Sequence, residues 1–264
     1  MKRVLLVTSE KGGVGKTLWT SSFLTLTRNE GVKIAAFDAD GSVGGLARLC
    51  ATKDADGEVS EQQDPLVGVG FYAGRSDRDS LRLMTSAEEE YPLVLHDLAG
   101  GFLTQLMKMV DGGKGLEGFL ETFAEQGYRV TFVHMISSDI AAASSVANYL
   151  KATGSNADHV CVVNEHFGEL EADFPFWYGF TDEQGEAMGG KTRAGLLGRE
   201  GAVEIKMPAL DRVTSVKLSA FGFPPARADE SKSLHGYEKM RARKFAQKFA
   251  ASIAPARALL GLPA

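Results

Sequence analysis

The chain has 264 residues, 44% of them hydrophobic and 24% charged, with a formal net charge of -5. That is ordinary globular composition with length enough for a large core, and the acidic balance gives no global pull toward nucleic acid. Two distant cysteines, Cys50 and Cys161, exclude a CxxC metal site and suit buried thiols in a reducing compartment.

After Met1-Lys2-Arg3 comes an apolar run, Val4 to Val7, too short for a signal segment or a membrane span, and no other stretch approaches spanning length. A cytoplasmic location is therefore expected. Short apolar runs then alternate with helical stretches, the pattern of a parallel sheet wrapped by crossover helices. In chain order, strands are expected at 3–8, 33–37, 66–72, 92–96, 129–135, 159–163 and 202–206. Helices are expected at 16–30, 77–90, 115–126, 139–153, 210–221 and 233–252. The strand runs are rich in Val, Leu, Ile and Phe, as strands covered on both faces should be. Residues 51–65 are polar and acidic and read as a loop. Residues 165–200 read as an insertion, with the cluster Phe174-Pro175-Phe176-Trp177-Tyr178 followed by Gly-rich and basic residues. The expected fold is α/β: a doubly wound, mostly parallel sheet flanked by helices. It forms one domain over 1–264 that ends in a basic helix at about 233–252.

The first strand runs into Ser9-Glu10-Lys11-Gly12-Gly13-Val14-Gly15-Lys16-Thr17, and a helix follows. Binding a phosphate needs backbone N–H groups turned into one concavity with a helix N-terminus behind them, and glycines permit that turn. Strand, Gly loop, Lys-Thr and helix together predict a P-loop. In it Lys16 reaches the β- and γ-phosphates of ATP and Thr17 ligates Mg²⁺. The ordinary motif opens with Gly where this chain has Glu10, and Lys11 follows.

Lys11-Gly12-Gly13-Val14-Gly15-Lys16-Thr17 resembles the deviant Walker A motif of the ParA/MinD superfamily. The resemblance implies that Lys11 reaches across an ATP-dependent sandwich dimer to the partner's phosphates, where a positioned cation stabilises the transferred phosphoryl group. Phe37-Asp38-Ala39-Asp40 is similar to the family's second acidic motif; by that resemblance Asp40 orients or polarises the attacking water and Asp38 supports the metal site or the lysine. Because residues two apart on a strand share a face, both carboxylates are expected to aim at the phosphates. Asp97, ending the run Leu93–Asp97 before Leu98-Ala99-Gly100-Gly101, resembles the Walker B aspartate that holds Mg²⁺. Asn164 looks like the adenine-reading asparagine, and Met207-Pro208-Ala209-Leu210 resembles the segment lying along the adenine. Leu18 stands where the family often has a second hydroxyl for the α-phosphate, and Gly41-Ser42 replaces a common Pro-Gln.

The absence of suitably placed cysteines excludes the family's iron–sulfur proteins, and a proline-broken, charge-poor tail disfavours membrane attachment. From Arg227 to Arg257 eight Lys/Arg face three acids, which makes that segment +5 and the rest -10. Within it, Tyr237, Met240, Phe245, Phe249 and Ile253 recur at roughly helical spacing and leave Lys239, Arg243, Lys244 and Lys248 on other faces. By resemblance to partition ATPases, this stripe is the surface that binds DNA without sequence preference in the ATP dimer, placing the protein at the nucleoid. A solvated face of a packed helix is the alternative. The resulting expectation is a ParA-like ATPase that positions DNA or other cargo with a stimulating adaptor protein. The alternative is a switch ATPase in conjugation or secretion, or a MinD-like positioning protein, that uses ATP to regulate partner binding without DNA.

Overall fold

A computed structural model describes residues 1–41, 44–76 and 81–263. In chain order its first half comprises β1 (Lys2–Thr8), α1 (Lys16–Asn29), β2 (Ala35–Asp38), α2 (Gly45–Cys50), β3 (Gly70–Phe71), α3 (Leu81–Thr85), β4 (Leu93–Asp97), α4 (Leu103–Met109) and α5 (Glu117–Glu125). The second half comprises β5 (Tyr128–Ile136), α6 (Ile140–Thr153), β6 (Asp158–Asn164), α7 (Pro175–Tyr178), β7 (Phe180–Thr181), β8 (Ala187–Met188), α8 (Lys191–Leu197), β9 (Ala202–Met207), α9 (Arg212–Phe221) and α10 (Gly236–Ser252).

Seven strands form one parallel sheet in the order β3-β2-β4-β1-β5-β6-β9. From β1 the chain passes to β2 and the edge strand β3, returns to place β4 between β2 and β1, and then crosses to the other side at β5. The order therefore reverses at the C-terminal end of β1, where parallel sheets open a crevice for ligands.

Alternation along the strands feeds two cores. Leu5 and Val7 face one layer with Trp19 and Phe23 of α1, Leu218 of α9 and Phe245 and Phe249 of α10. Val4 and Leu6 face the other with Phe119 and Phe123 of α5, Phe132 and Tyr149. Such two-sided burial explains the unbroken apolar runs in the sequence. Trp19 and Phe23 are fully buried and stack at 5.0 Å, each contributing about 1.5–3 kcal/mol of burial. Three hydroxyls of α1 are satisfied within the helix: Thr20, Ser22 and Thr25 donate to the carbonyls of Lys16, Leu18 and Ser21.

Several expectations change. The strand at 66–72 shortens to Gly70–Phe71, and α2 and α4 are additions to the sequence reading. The helix at 77–90 is seen as α3; residues 77–80 lie outside the described residues, as do Ser42, Val43 and Ala264. Residues 165–200 fold into α7, a small antiparallel β7–β8 hairpin and α8, with Phe174, Trp177 and Leu196 in a third core against α6 and β6. Glu204 of β9 anchors this segment, accepting from Trp177 Nε1 at 2.6 Å and Arg193 Nε at 2.7 Å. On α10, Ala242, Phe245 and Phe249 are buried, whereas Tyr237 and Met240 are exposed because the inward face is narrower than their spacing implied.

Candidate functional site

Beyond Thr8 the chain turns into loop 9–15, with Gly13 (φ 77°) and Gly15 (φ 95°) in the left-handed region. Gly15 caps the N-terminus of α1 and has no room for a side chain: a Cβ there would lie 2.6 Å from Asn164 Nδ2 and 3.2 Å from Met207 Cε. On the outer side, Cβ atoms at Gly12 and Gly13 would meet nothing within 4 Å. The loop is thus packed from below and open above, the geometry that turns backbone N–H groups toward an anion.

The polar side chains converge beneath that opening. Lys16 Nζ donates to Ser9 Oγ at 3.0 Å, and Ser9 Oγ donates to the Lys11 carbonyl at 2.7 Å. Thr17 Oγ1 donates to Asp97 Oδ2 at 3.1 Å, and Thr20 Oγ1 lies 3.3 Å from Asp97 Oδ1. Asp97 is buried, and burial pushes its carboxyl up to about 7. Neighbouring Asp38 adds to the rise, while Lys16, Thr17 and Thr20 oppose it. Burial likewise raises Asp38.

Asp38 and Asp40 part company. Strand β2 ends at Asp38, so the alternation of a strand does not extend to Asp40. Asp38 turns inward, accepting from Asp40 N at 3.0 Å and Ala47 N at 2.9 Å, and so pins α2. Asp40 is exposed and bridges to Ala73. Gly44 and Gly45 allow α2 to approach: Cβ atoms there would lie 2.2 Å from Asp38 Oδ1 and 2.9 Å from Thr17 Oγ1.

Lys11 takes a different partner from Lys16. Its side chain is 57% exposed and pairs with Asp139, the N-cap of α6. That pairing, with a hydrogen bond from Ala141 N, holds the Asp139 carboxyl below the usual range. Asn164 is buried; its Nδ2 donates to the Val14 carbonyl at 3.0 Å and its Oδ1 accepts from His166 N at 3.0 Å. Val14, Met207 and Pro208 are buried, Ala209 is exposed, and Leu18 packs partly buried against the α1-side core. The outer stripe of α10 lies elsewhere. Arg243 sits 3.6 Å from Asp229 and Lys239 donates to the Asp229 carbonyl, while Lys244 and Lys248 are exposed.

Ser9, Thr20, Gly44, Gly45 and Asp139 are contacts that motif reading missed. Only Asp139 had a visible signal, an Asp before an apolar helical run, which marks an N-cap.

No group of three or more His, Cys, Asp or Glu among the described residues could hold a metal. What the chain offers is the Thr17 hydroxyl and two buried carboxylates short of positive charge. This partial oxygen shell suits Mg²⁺, which keeps several waters and takes further oxygens from phosphate. The residues therefore fit a magnesium–nucleotide group.

A parallel sheet with this switch point, a left-handed glycine loop opening a helix and an aspartate at the adjacent strand end define a P-loop nucleotide-binding fold. The profile of the CobQ/CobB/MinD/ParA nucleotide binding domain (CbiA) matches residues 5–153. The chain belongs to that family. Among solved structures, the cell division ATPase MinD of Pyrococcus furiosus is similar over 95% of this chain and 99% of its own, at 15% identity and a TM-score of 0.52. The septum site-determining protein MinD of Pyrococcus horikoshii OT3, complexed with Mg-ADP, matches over 94% and 96%, at 15% identity and a TM-score of 0.50. A ParA family ATPase of Chlorobium tepidum TLS matches over 94% and 99%, at 14% identity and a TM-score of 0.50. At such identities the likeness concerns the fold. No curated protein matches the sequence.

Proposed function

We propose that the chain is an ATPase that binds Mg-ATP at loop 9–17 and dimerises through it. The observation that supports this most directly is the division of labour between two lysines on one loop. Lys16 is tucked against Ser9, while Lys11 projects outward on the rim. In this reading the loop N–H groups and Lys16 bind the phosphates, Thr17 and Asp97 hold Mg²⁺, and Asp38 orders α2 beside them. Bound Mg²⁺ neutralises charge that develops on the phosphoryl oxygens. Asp40 orients the attacking water, and Lys11 leaves Asp139 to face the partner protomer's phosphates. Asn164, Met207, Pro208 and Ala209 line the adenine side. That MinD of P. horikoshii is complexed with Mg-ADP on this fold supports the choice of ligand.

The ATP dimer then binds DNA through α10 and positions a cargo under the control of an adaptor protein. A second reading, a switch ATPase that binds partners without DNA, draws support from α10 itself. Arg243 and Arg241 are already paired with Asp229 and Asp211, so part of the stripe is neutralised internally.

Light scattering decides the dimer. With Mg-ATP the wild type is expected to double its mass and turn over, whereas Lys11→Ala binds nucleotide but remains monomeric. A normal ATP-induced dimer in Lys11→Ala would refute the role given to Lys11, and absence of ATP turnover in the wild type would refute the reading as a whole.

A further inference from the structure

The sheet's C-terminal rim carries two loops that flank the phosphate opening. One follows β2 and bears Asp40; the other, residues 98–101, follows β4. Within the sheet they are joined at their roots, where Ala39 N donates to the Asp97 carbonyl at 2.9 Å. A third segment, residues 72–76 after β3, connects them higher up. It is zipped to the first loop along its length: Tyr72 N donates to the Asp38 carbonyl at 3.0 Å, Gly74 N donates to the Ala39 carbonyl at 3.1 Å, and Ala73 bridges Asp40. Gly74 is required for this approach, since a Cβ there would lie 2.8 Å from the Ala39 oxygen. From the end of this segment, Arg75 Nη2 donates to the Gly100 carbonyl at 2.9 Å.

Gly100 in turn lies against the phosphate loop. A Cβ on it would stand 3.4 Å from the Glu10 oxygen, 3.6 Å from the Lys11 carbonyl carbon and 3.7 Å from Gly12 N. The next residue closes the circuit, with Gly101 N donating to the Ser9 carbonyl at 2.9 Å. The Arg75 guanidinium therefore ends a continuous chain of bonds from Asp40 to the front of the phosphate loop. It is a cation on the rim that no motif in the sequence marks.

We propose that Arg75 is a positioning residue for hydrolysis: by clamping Gly100 it makes the Asp40 turn and the 98–101 loop move as one body over the phosphate opening. The inference rests on the ATPase reading above. A guanidinium suits the task, because a charge-assisted hydrogen bond to a carbonyl is stronger than a neutral one and the planar fork loses little freedom in making it. Nucleotide affinity depends less on the clamp, since the turn of the phosphate loop is set by Gly13 and Gly15 and is packed from below by Asn164 and Met207. Geometry at the reacting centre depends on it more, and there misplacement by an ångström costs orders of magnitude in rate.

The test uses the full chain and the variants Arg75→Ala and Arg75→Lys, with two readouts. In steady-state ATP turnover, Arg75→Ala is expected to lower kcat about tenfold while KM and Mg-ADP affinity stay within about twofold. Arg75→Lys, which keeps a cationic donor, recovers a large part of the loss. Combining Arg75→Ala with Asp40→Ala adds nothing beyond the larger single loss, as for two residues acting through one unit. In hydrogen exchange, Arg75→Ala is expected to speed the amides of both 72–76 and 98–101 with the melting temperature unchanged, a signature independent of turnover. Exchange in 98–101 identical to wild type overturns the clamp whether or not the protein hydrolyses ATP. Wild-type kcat in Arg75→Ala, or additive losses in the double variant, overturns its part in hydrolysis while leaving the ATPase reading intact. If the wild type itself fails to hydrolyse ATP, the ATPase reading falls and so does the catalytic role of Arg75.

Discussion

Lys16 and His96 show how differently a buried or half-buried base can serve this chain. Lys16 donates to Ser9 Oγ at 3.0 Å near the open side of the loop. Its charge is thus free to be matched by a polyphosphate. Lys16→Ala should weaken Mg-ADP binding by about 100-fold or more, the worth of one or two hydrogen bonds to a charged group; titration calorimetry measures it, and unchanged affinity would remove Lys16 from the site. His96 is closed in. Its Nδ1 and Nε2 lie 3.0 Å from Tyr72 Oη and Ser86 Oγ, its ring stacks on Phe37, and burial lowers its pKa from 6.5 to about 3. The native state therefore refuses a proton that the unfolded chain accepts. This contribution to stability is fully present above pH 6.5 and is lost as pH falls from there toward 3, at about 1.4 kcal/mol per pH unit. Urea unfolding at pH 7, 6 and 5 should show a shallower acid loss for His96→Gln than for wild type. Asp97, raised in the native state, acts in the opposite direction in both proteins and drops out of the comparison. Of these residues, Lys16 was legible because a phosphate loop is a local pattern. The Ser9 and Tyr72 contacts were not, since they depend on where separate segments meet.

Helices and strands differed in legibility for a related reason. The central strands announced themselves because burial on both faces forces continuous apolar runs, visible in Val4–Val7 and Val160–Val163 alike. At β3 the apolar signal of 66–72 is interrupted by Gly68 and Gly70, and only two residues pair. Helix α2 escaped notice because its six residues carry too little periodicity to register, yet it supplies the Ala47 N–H that holds Asp38. Its seating depends on Gly44. In Gly44→Ala the new methyl would fall 2.2 Å from Asp38 Oδ1 and must displace either α2 or the carboxylate. A loss of about 1–3 kcal/mol is expected, as for overpacked cores, together with weaker Mg²⁺ dependence of nucleotide binding. Calorimetric melting with and without Mg-ADP reads both effects, and an unshifted melt would show that α2 can move away freely.

Across the whole molecule, the phosphate opening and the basic stripe are built on different elements. The phosphate opening lies at the C-terminal rim of the sheet, while α10 lays Ala242, Phe245 and Phe249 into the core and turns Lys244 and Lys248 outward. If α10 is the DNA surface, replacing Arg243, Lys244 and Lys248 with Glu should abolish ATP-dependent retention on DNA and leave basal ATP turnover intact. Each lost phosphate contact should flatten the salt dependence of residual binding by about 0.9 in the log–log slope. Wild-type salt dependence in the triple variant would remove α10 as the DNA surface, whereas a wild type that binds no DNA in any nucleotide state would favour the switch reading. Among the described residues no helix is long and apolar enough to cross a membrane.

The tail after α10 is part of the structure's closure. Ile253, Ala256, Leu260 and Leu262 are buried in the α1-side core, Thr131 Oγ1 donates to the Leu259 carbonyl at 2.8 Å, and Arg257 reaches Glu30 at 2.9 Å. These residues seal the N-terminal end of the sheet around β1 and β4, where Gly261 abuts Leu93 and Arg3. During synthesis β1 emerges long before the tail, and the end of the sheet it occupies stays open until residue 262 has been translated. At about 5–20 residues per second, that interval is on the order of ten to fifty seconds. Through all of it the apolar runs of β1 and β4 wait incompletely covered, so a nascent chain released early would expose them.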